Sequence, residues 1–339
     1  MENAANRENV MNGPDRRTLL KATGAAALAA LASDNAAAQS AQIVGSEYWA
    51  QKGDVKLYLW RKRVDDGKTD KPVIFFVHGS SFSGRAGYDL QVPGHPDYSA
   101  MDHFAGLGYD VWTIDHEGYG KSSRNTGTNS GIMIGVADLE AAMPIVERET
   151  GRRKIFMRGQ SSGAIRLGVF AMRNPDRVEK IILDALTWTG EGAPEIMRRR
   201  RDAEQYRTQN YRPMSRQSFL NIFSRDDPST FEQAVAIALA DYEAALGDRA
   251  PSGTYLDMAV NMPMVDPTKL TCPVMMIRAE HDGNSTEAEL IEFFTKLPNK
   301  EKQFVMLKGS AHLAMLGKGR RRAWHVTQAF FTLPPPAEA

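Results

Sequence analysis

The chain has 339 residues, of which 42% are hydrophobic and 24% are charged, and its formal net charge is +1. These proportions are typical of globular proteins, and so small a net charge provides no general attraction to nucleic acid or to an anionic membrane. The single cysteine, Cys272, excludes an intramolecular disulfide and a cysteine-rich zinc site. The seven histidines show no metal-binding spacing. We therefore expect a globular protein without a metal.

The N-terminal segment has the order of features of an export signal. A pair of arginines, Arg16 and Arg17, is followed by an Ala/Leu/Gly stretch from Ala22 to Ala32 and then by the small residues Ala36 and Ala38. This order predicts that residues 1–38 form a twin-arginine signal peptide, recognised by the twin-arginine export machinery and cleaved near residue 39. The apolar stretch is shorter than the roughly 20 residues that span a bilayer. We therefore predict a periplasmic or secreted protein with no stable membrane anchor.

After this segment, short β-rich runs alternate with helical patterns. The run Val55–Arg61 alternates with period two and follows the aromatic stretch Tyr48–Ala50 across a Lys52-Gly53-Asp54 turn, which predicts a half-exposed hairpin at a sheet edge. The later runs are unbroken, as in strands that are covered on both faces; they are Val73–Val77, Val111–Ile114, Ile155–Met157, Ile181–Leu183, Val274–Ile277 and Phe304–Leu307. Helical patterns lie near 98–107, 132–149, 162–174, 286–297 and 319–331. The alternation predicts an α/β fold with a mostly parallel, doubly wound sheet.

The alternation is interrupted once, between the sixth and seventh predicted strands. Residues 188–263 contain no strong strand run but several Arg/Glu-rich and Ala-rich helical stretches. This composition predicts a helical cap, inserted at a loop that tolerates added chain, between core segments 43–187 and 264–333. The run Arg198–Arg201 in this cap could bind an anion, but such a run is typical of a solvated helix face, which we favour.

The stretch Gly159-Gln160-Ser161-Ser162-Gly163 lies between a predicted strand and a predicted helix. Its spacing is Gly-x-Ser-x-Gly, centred on Ser161. A sharp strand-to-helix turn places its central residue in a strained conformation and requires small neighbours. It also places the serine at the carboxyl end of the sheet, where open α/β folds bind ligands. We therefore predict that Ser161 is a catalytic nucleophile.

A serine nucleophile needs a base, and the base needs a carboxylate that orients it. His312 follows the last predicted strand, and Asp282 follows the strand before it. All three residues come where strands end, so we expect them to meet at one edge of the sheet. Asp184 and Glu280 are the alternative carboxylates, because each also follows a strand closely.

Two backbone amides are expected to form an oxyanion hole. The amide of Ser162 comes directly after the predicted nucleophile, at a helix N-terminus, and the amide of Ser80 comes after the buried strand that ends in "FFVHGSS". Four neighbouring residues are predicted to line the pocket: Ser81, Phe82, His116 and Trp188.

Taken together, the ordered motifs resemble those of a capped, single-domain α/β-hydrolase over about residues 45–332. The motifs are His78-Gly79, Asp115-x-x-Gly118-x-Gly120-x-Ser122, Gly159–Gly163, Ala279–Asp282 and Gly309-x-x-His312. The resemblance implies the α/β-hydrolase fold and a Ser-His-Asp triad. One departure is Glu117, where many members carry an arginine.

These features predict a serine hydrolase that needs no cofactor and acts on a small, partly apolar ester, lactone or amide. Its partner is then a small-molecule substrate; the sequence predicts no particular oligomeric state. Other reactions known on this fold remain open: hydrolysis of a carbon–carbon bond, cofactor-free oxygenation, or removal of N-terminal residues from peptides. An aminopeptidase would need acidic groups in the cap, close to the site, to bind the α-amine of its substrate; Glu191 and Glu195 are candidates. A non-catalytic binding protein is the further alternative.

Overall fold

The computed structural model describes residues 42–334, and a sheet of eight strands forms their centre. The strands in chain order are β1 (Ile43–Lys52), β2 (Val55–Val64), β3 (Val73–Val77), β4 (Asp110–Ile114), β5 (Ile155–Gln160), β6 (Val178–Asp184), β7 (Tyr211–Pro213), β8 (Arg249–Pro251), β9 (Val274–Ala279) and β10 (Lys302–Leu307). The order in the sheet is β1-β2-β4-β3-β5-β6-β9-β10, whereas β7 and β8 pair only with each other. Each unbroken apolar run lies within one observed strand.

The helices occupy the connections between the strands. They are α1 (Gly84–Tyr88), α2 (Ala100–Gly106), α3 (Ile132–Thr150), α4 (Ser162–Arg173), α5 (Pro194–Arg201), α6 (Ala203–Thr208), α7 (Arg216–Ser224), α8 (Gln233–Leu246), α9 (Gly253–Val260), α10 (Glu287–Lys296) and α11 (Arg320–Phe331). Side-chain caps fix three of the starts: Ser99 accepts from the amide of Asp102, Ser215 from that of Ser218, and Thr286 from that of Glu289. The five predicted core helices are thus confirmed.

Strand β3 shows why the sheet is covered on both faces. All five of its residues are buried. Val73, Phe75 and Val77 pack into an apolar cluster on one face, and Ile74 and Phe76 pack into a second cluster on the other. Because successive side chains of a strand point to opposite faces, an unbroken apolar run buries both. The doubly wound sheet that these runs predict is confirmed.

Strands β1 and β2 form the predicted hairpin at the edge of the sheet. They pair antiparallel, and β2 also runs antiparallel to β4, while the other neighbouring pairs of the sheet are parallel. Gly53 at the turn has φ +56°, a conformation that favours glycine.

The segment between β6 and β9 is mostly helical, as predicted. It contains α5 to α9 together with the short strands β7 and β8. Two features differ from the sequence-based expectation: the arginine-rich helix is interrupted at Asp202, and β7 and β8, at three residues each, are too short to give a periodic pattern. Phe219 and Leu239 of this segment pack with Phe82 and Tyr119 of the core. The segment therefore covers the loops at the carboxyl ends of β3 and β4.

No helix between residues 42 and 334 is long and apolar enough to span a membrane. The predicted signal peptide lies outside the described residues. Its role in export and the limits of the cap stay predictions.

Candidate active site

Ser161 lies at the sharp turn that joins β5 to α4. Its backbone has φ 58° and ψ −126°, and a positive φ is strained for a residue with a side chain. The turn is held because the amide of Ser161 donates to the carbonyl oxygen of Asp184 at 2.8 Å, and its carbonyl oxygen accepts from Ala164 at 2.9 Å. The strain therefore positions Ser161 at the carboxyl end of the parallel strands.

The two glycines of the motif are required by close backbone approach. A Cβ on Gly163 would lie 2.3 Å from the carbonyl oxygen of Val77, and a Cβ on Gly159 would lie 2.3 Å from the carbonyl oxygen of Gly163. Both distances are shorter than real Cβ contacts allow. Only glycine fits at these two positions, as the Gly-x-Ser-x-Gly spacing predicts.

His312 and Asp282 form a buried pair. The imidazole Nδ1 lies 2.9 Å from Asp282 Oδ1, which also accepts from the backbone amide of Asn284 at 2.9 Å. Burial opposes ionisation of Asp282, but the attraction of His312 and these hydrogen bonds outweigh it and hold the pKa of the carboxyl below its ordinary value. A charged Asp282 can therefore orient the imidazole.

The two alternative carboxylates have other partners. Asp184 is buried and forms an ion pair with Arg158, whose Nη2 lies 2.6 Å from its Oδ2. Glu280 is exposed and accepts from the amide of Gly309 at 2.7 Å. Of the three carboxylates considered from the sequence, the structure brings Asp282 into hydrogen-bond contact with His312.

Asn284 adds a contact with His312 that the sequence did not indicate. Its Nδ2 lies 3.2 Å from Nδ1 and 3.0 Å from Nε2 of His312. Nearly equal distances to both ring nitrogens place the amide against the face of the imidazole. Among the described residues, Ser161 Oγ makes no hydrogen bond to His312. The two side chains nevertheless line the same cavity.

Ser80 and Ser162 are in direct contact. Ser80 Oγ donates to Ser162 Oγ at 2.7 Å. The carbonyl oxygen of Ser80 accepts from Tyr119 Oη at 3.0 Å and from Arg212 Nη2 at 2.6 Å, which fixes this loop. Within residues 42–334, no group of the protein accepts a hydrogen bond from the backbone amides of Ser80 and Ser162. Both amides thus remain available to a ligand.

These groups surround one small cavity. The residues that line it are Gly79, Ser80, Ser81, Phe82, Gln160, Ser161, Arg199, Ile222, Arg225, Tyr255, His312 and Leu313. Ser81 and Phe82 lie where the sequence predicts them. His116 and Trp188 are not among the lining residues: the buried His116 ring contacts Asp138 at 3.1 Å, and Trp188 Nε1 donates to the carbonyl oxygen of Val265.

Arg199 corrects the interpretation of the four-arginine run. Arg198, Arg200 and Arg201 are partly or fully exposed, as a solvated face requires, but Arg199 is 2% exposed and lines the cavity. Helical spacing could have indicated this, because Ile196 lies three residues earlier on the same helix face and is also buried.

Three acidic or imidazole groups lie close enough together to ligate a metal ion. They are Asp226, Asp282 and His312, whose ligand atoms lie within 4.8 Å of one another. Asp226 is paired with Arg225 at 3.1 Å, and Asp282 with His312. The carboxylates thus have partners within the protein, and the expectation that no metal is needed stays a prediction.

Comparison with known proteins gives a consistent result for the fold. Solved structures that resemble the chain include the 2-hydroxy-6-oxo-6-phenylhexa-2,4-dienoate hydrolase of Rhodococcus sp. strain RHA1, with 15% identity, TM-score 0.62, and 86% of this chain and 100% of that chain covered. A carboxylesterase of Bacillus subtilis has 15% identity and TM-score 0.61 over 86% of this chain and 93% of its own. An E-2-(acetamidomethylene)succinate hydrolase has 16% identity and TM-score 0.62 over 86% and 100%. No curated protein matches the sequence.

A family model described as "Serine aminopeptidase, S33" matches residues 98–318, a span that includes Ser161, Asp282 and His312. The match extends over more than half of the chain, and the sheet order, the strained serine turn and the structural neighbours agree with it. The chain belongs to this family of hydrolases and is an enzyme with the α/β-hydrolase fold.

Proposed function

We propose that the protein is a serine hydrolase that cleaves a small, partly apolar ester, lactone or amide through an acyl-enzyme on Ser161. The observation that carries this proposal is the shared cavity: Ser161, on its strained turn, lines the same space as His312, which is bound to Asp282. A nucleophile, a base and a carboxylate that orients the base are the components of this mechanism.

In the first half of the reaction, Ser161 Oγ forms a bond to the substrate carbonyl carbon while His312 Nε2 takes the hydroxyl proton. Asp282 stabilises the imidazolium that results. The negative charge on the former carbonyl oxygen is held by the amides of Ser80 and Ser162, and removal of one such donor costs about 3–4 kcal/mol. Collapse of the tetrahedral intermediate breaks the bond to the leaving group, which receives the proton from His312.

Water completes the cycle. His312 takes a proton from a water molecule, whose oxygen bonds to the acyl carbon, and the released Ser161 oxygen recovers the proton. The acid product then leaves. Apart from the substrate and water, all groups in these reaction steps belong to the chain, so no cofactor enters the proposed mechanism.

The lining of the cavity argues against an aminopeptidase, despite the name of the family. An α-ammonium group would need a carboxylate to bind it, and the lining residues within the described chain include none. Glu195 is paired with Arg198 at 2.8 Å, and Glu191 with Arg200 at 2.7 Å. The two candidate acidic groups are therefore already neutralised by arginines.

The structural neighbours carry names of different hydrolases, a carboxylesterase and a dienoate hydrolase among them. The fold therefore allows more than one bond to be cleaved. Activity on 4-nitrophenyl esters supports the proposal, whereas activity confined to diketones would favour carbon–carbon bond hydrolysis.

The decisive experiment compares Ser161→Ala with Ser162→Ala. We expect Ser161→Ala to abolish ester turnover and labelling by a serine-directed fluorophosphonate. Ser162→Ala keeps the backbone amide and should retain most of both. Equal loss in the two variants would contradict the assignment, and a wild-type protein that forms no adduct would favour a binding protein.

A further inference from the structure

Apart from the His312 imidazole, the ionisable groups that line the cavity include two arginines and no carboxylate among the described residues. Arg199 from α5 and Arg225, at the end of α7, line it together with Ser161 and His312. No carboxylate belongs to the lining within residues 42–334. A substrate at Ser161 therefore meets two guanidinium groups.

Arg199 is buried, and no carboxylate of the described chain pairs with it. Its Nη1 contacts Met258 Sδ at 3.2 Å, its Nη2 lies 3.5 Å from Asn284 Oδ1, and its Nε has no partner among these residues. By contrast, Arg225 forms an ion pair with Asp226. A buried, unpaired charge costs several kcal/mol, which a bound anion would offset.

The ionisation of Tyr255 is affected by the positive potential of the arginines around it. Arg199 Cζ lies 4.2 Å and Arg212 Cζ lies 4.0 Å from the centroid of the Tyr255 ring, and the Tyr255 hydroxyl lies 3.4 Å from Ser81 Oγ. Burial opposes ionisation of the phenol, but Arg212 and Arg199 outweigh it and lower the pKa of Tyr255 to about 7. The arginines therefore favour a negative charge at this place in the cavity.

Asn284 connects this arginine to the catalytic base. Its Oδ1 lies 3.5 Å from Arg199 Nη2, and its Nδ2 lies 3.0 Å from His312 Nε2. One amide group therefore separates the guanidinium from the imidazole. Arg199 and Ser161 also line the same cavity, so an anion on Arg199 lies near the carbonyl that Ser161 attacks.

We propose that Arg199, assisted by Arg225, binds a carboxylate of the substrate, so that the enzyme prefers small esters, lactones or amides with a carboxylate close to the scissile carbonyl. The planar guanidinium matches the two oxygens of a carboxylate. This group is held and not transformed in the reaction. The inference rests on the proposed function for its account of the scissile bond, whereas the anion site itself rests on the cavity.

The test uses matched pairs of esters that differ in one charge. Monoethyl succinate carries the carboxylate on the acyl side and acetoxyacetate carries it on the alcohol side; diethyl succinate and ethyl acetoxyacetate are the neutral partners. We expect the wild-type protein to have the higher kcat/KM for the charged ester in at least one pair. In Arg199→Met that preference should fall by about 30-fold or more, as for loss of one partner of a buried charge pair. Arg199→Lys keeps the charge without the planar fork and should give an intermediate value.

The matched control is Arg200→Met, which removes the neighbouring arginine that points to Glu191 and the surface. It should leave the preference within about threefold of wild type. Melting temperatures of all variants show whether they fold, and Arg225→Met provides a second test if Arg199→Met does not fold. No preference in wild type, or a preference unaltered in Arg199→Met, would overturn the anion site while leaving the hydrolase proposal intact.

Direct binding separates the two proposals. Calorimetry with succinate and dimethyl succinate on Ser161→Ala protein tests the site without turnover. The anion site is supported if Ser161→Ala binds succinate but not dimethyl succinate, and if the double variant Ser161→Ala/Arg199→Met no longer binds succinate. This result supports the anion site even if no ester is hydrolysed. Absence of succinate binding together with normal ester turnover would reject the anion site.

Discussion

His312 Nδ1 and Asp282 Oδ1 lie 2.9 Å apart in the buried part of the site. Because a carboxylate only accepts, this contact fixes the proton on Nδ1, and Nε2 is the nitrogen that takes the Ser161 proton in the proposed mechanism. In Asp282→Asn the amide can donate to Nδ1 and favours the wrong tautomer. We expect kcat to fall by about three to four orders of magnitude, measured on a 4-nitrophenyl ester.

Glu280→Gln is the matched control for this prediction. Glu280 lies two residues away and is exposed, and a glutamine can still accept from the amide of Gly309. Its activity should stay close to wild type. Full activity in Asp282→Asn, with a loss in Asp184→Asn at unchanged melting temperature, would show that Asp184 is the acid.

The agreement between sequence and fold has a local cause. The central strands β3 and β4 are short apolar runs buried on both faces, and each core helix follows a periodic pattern, so these patterns mark the elements closely. The turn at Ser161 could be predicted in part for the same reason, because Gly159 is required by its contact with Gly163 within the turn, although Gly163 is required by a contact with Val77 of a distant strand. Local sterics leave a local signature.

The roles of other residues around the cavity could not be predicted in this way. Tyr255, Asn284 and Arg199 come from three distant segments, and their roles arise only when α5, α9 and the loop after β9 pack together. Glu117 is a similar case: its Oε2 lies 2.9 Å from Lys52 Nζ, which is 65 residues earlier in the chain. Long-range pairs of this kind leave no periodic pattern in one sequence.

Glu243 couples the cap to the core in a pH-dependent way. Its carboxyl accepts from the amide of Ser83 at 2.8 Å and is buried. Burial raises the pKa of Glu243 from 4.5 to about 7, although the hydrogen bonds to Ser83 oppose the shift. The folded state thus binds the proton of Glu243 more tightly than the unfolded state does. The stabilisation of the folded state by this proton is complete below pH 4.5 and is lost as the pH rises to about 7.

The free energy of unfolding in urea at pH 5 and pH 7.5 measures this effect. In wild type, the free energy of unfolding should be lower at pH 7.5 than at pH 5. We expect Glu243→Gln to reduce this difference by up to about 3 kcal/mol. Asp241→Asn, an exposed position on the same helix, should leave the pH dependence unchanged. Identical pH dependence in wild type and Glu243→Gln would refute the prediction.

Export is expected to depend on the arginine pair. Arg16→Lys combined with Arg17→Lys should keep the full-length chain in the cytoplasm of a bacterial host, whereas wild type should be recovered outside it with an N-terminus near residue 39. Cell fractionation and mass spectrometry of the intact chain distinguish these results. Arg7→Lys, upstream of the pair, is the control and should be exported normally.

The ion pair of Arg158 and Asp184 supports the turn that carries Ser161. Both side chains are almost fully buried, and the carbonyl oxygen of Asp184 holds the amide of Ser161. Arg158→Met leaves Asp184 as an unpaired buried charge and should lower the free energy of unfolding by about 3–5 kcal/mol. Adding Asp184→Asn removes the stranded charge, so we expect the double variant to regain part of that stability in urea unfolding. A single variant within about 1 kcal/mol of wild type, or a double variant less stable than the single one, would show that the pair does not stabilise the turn.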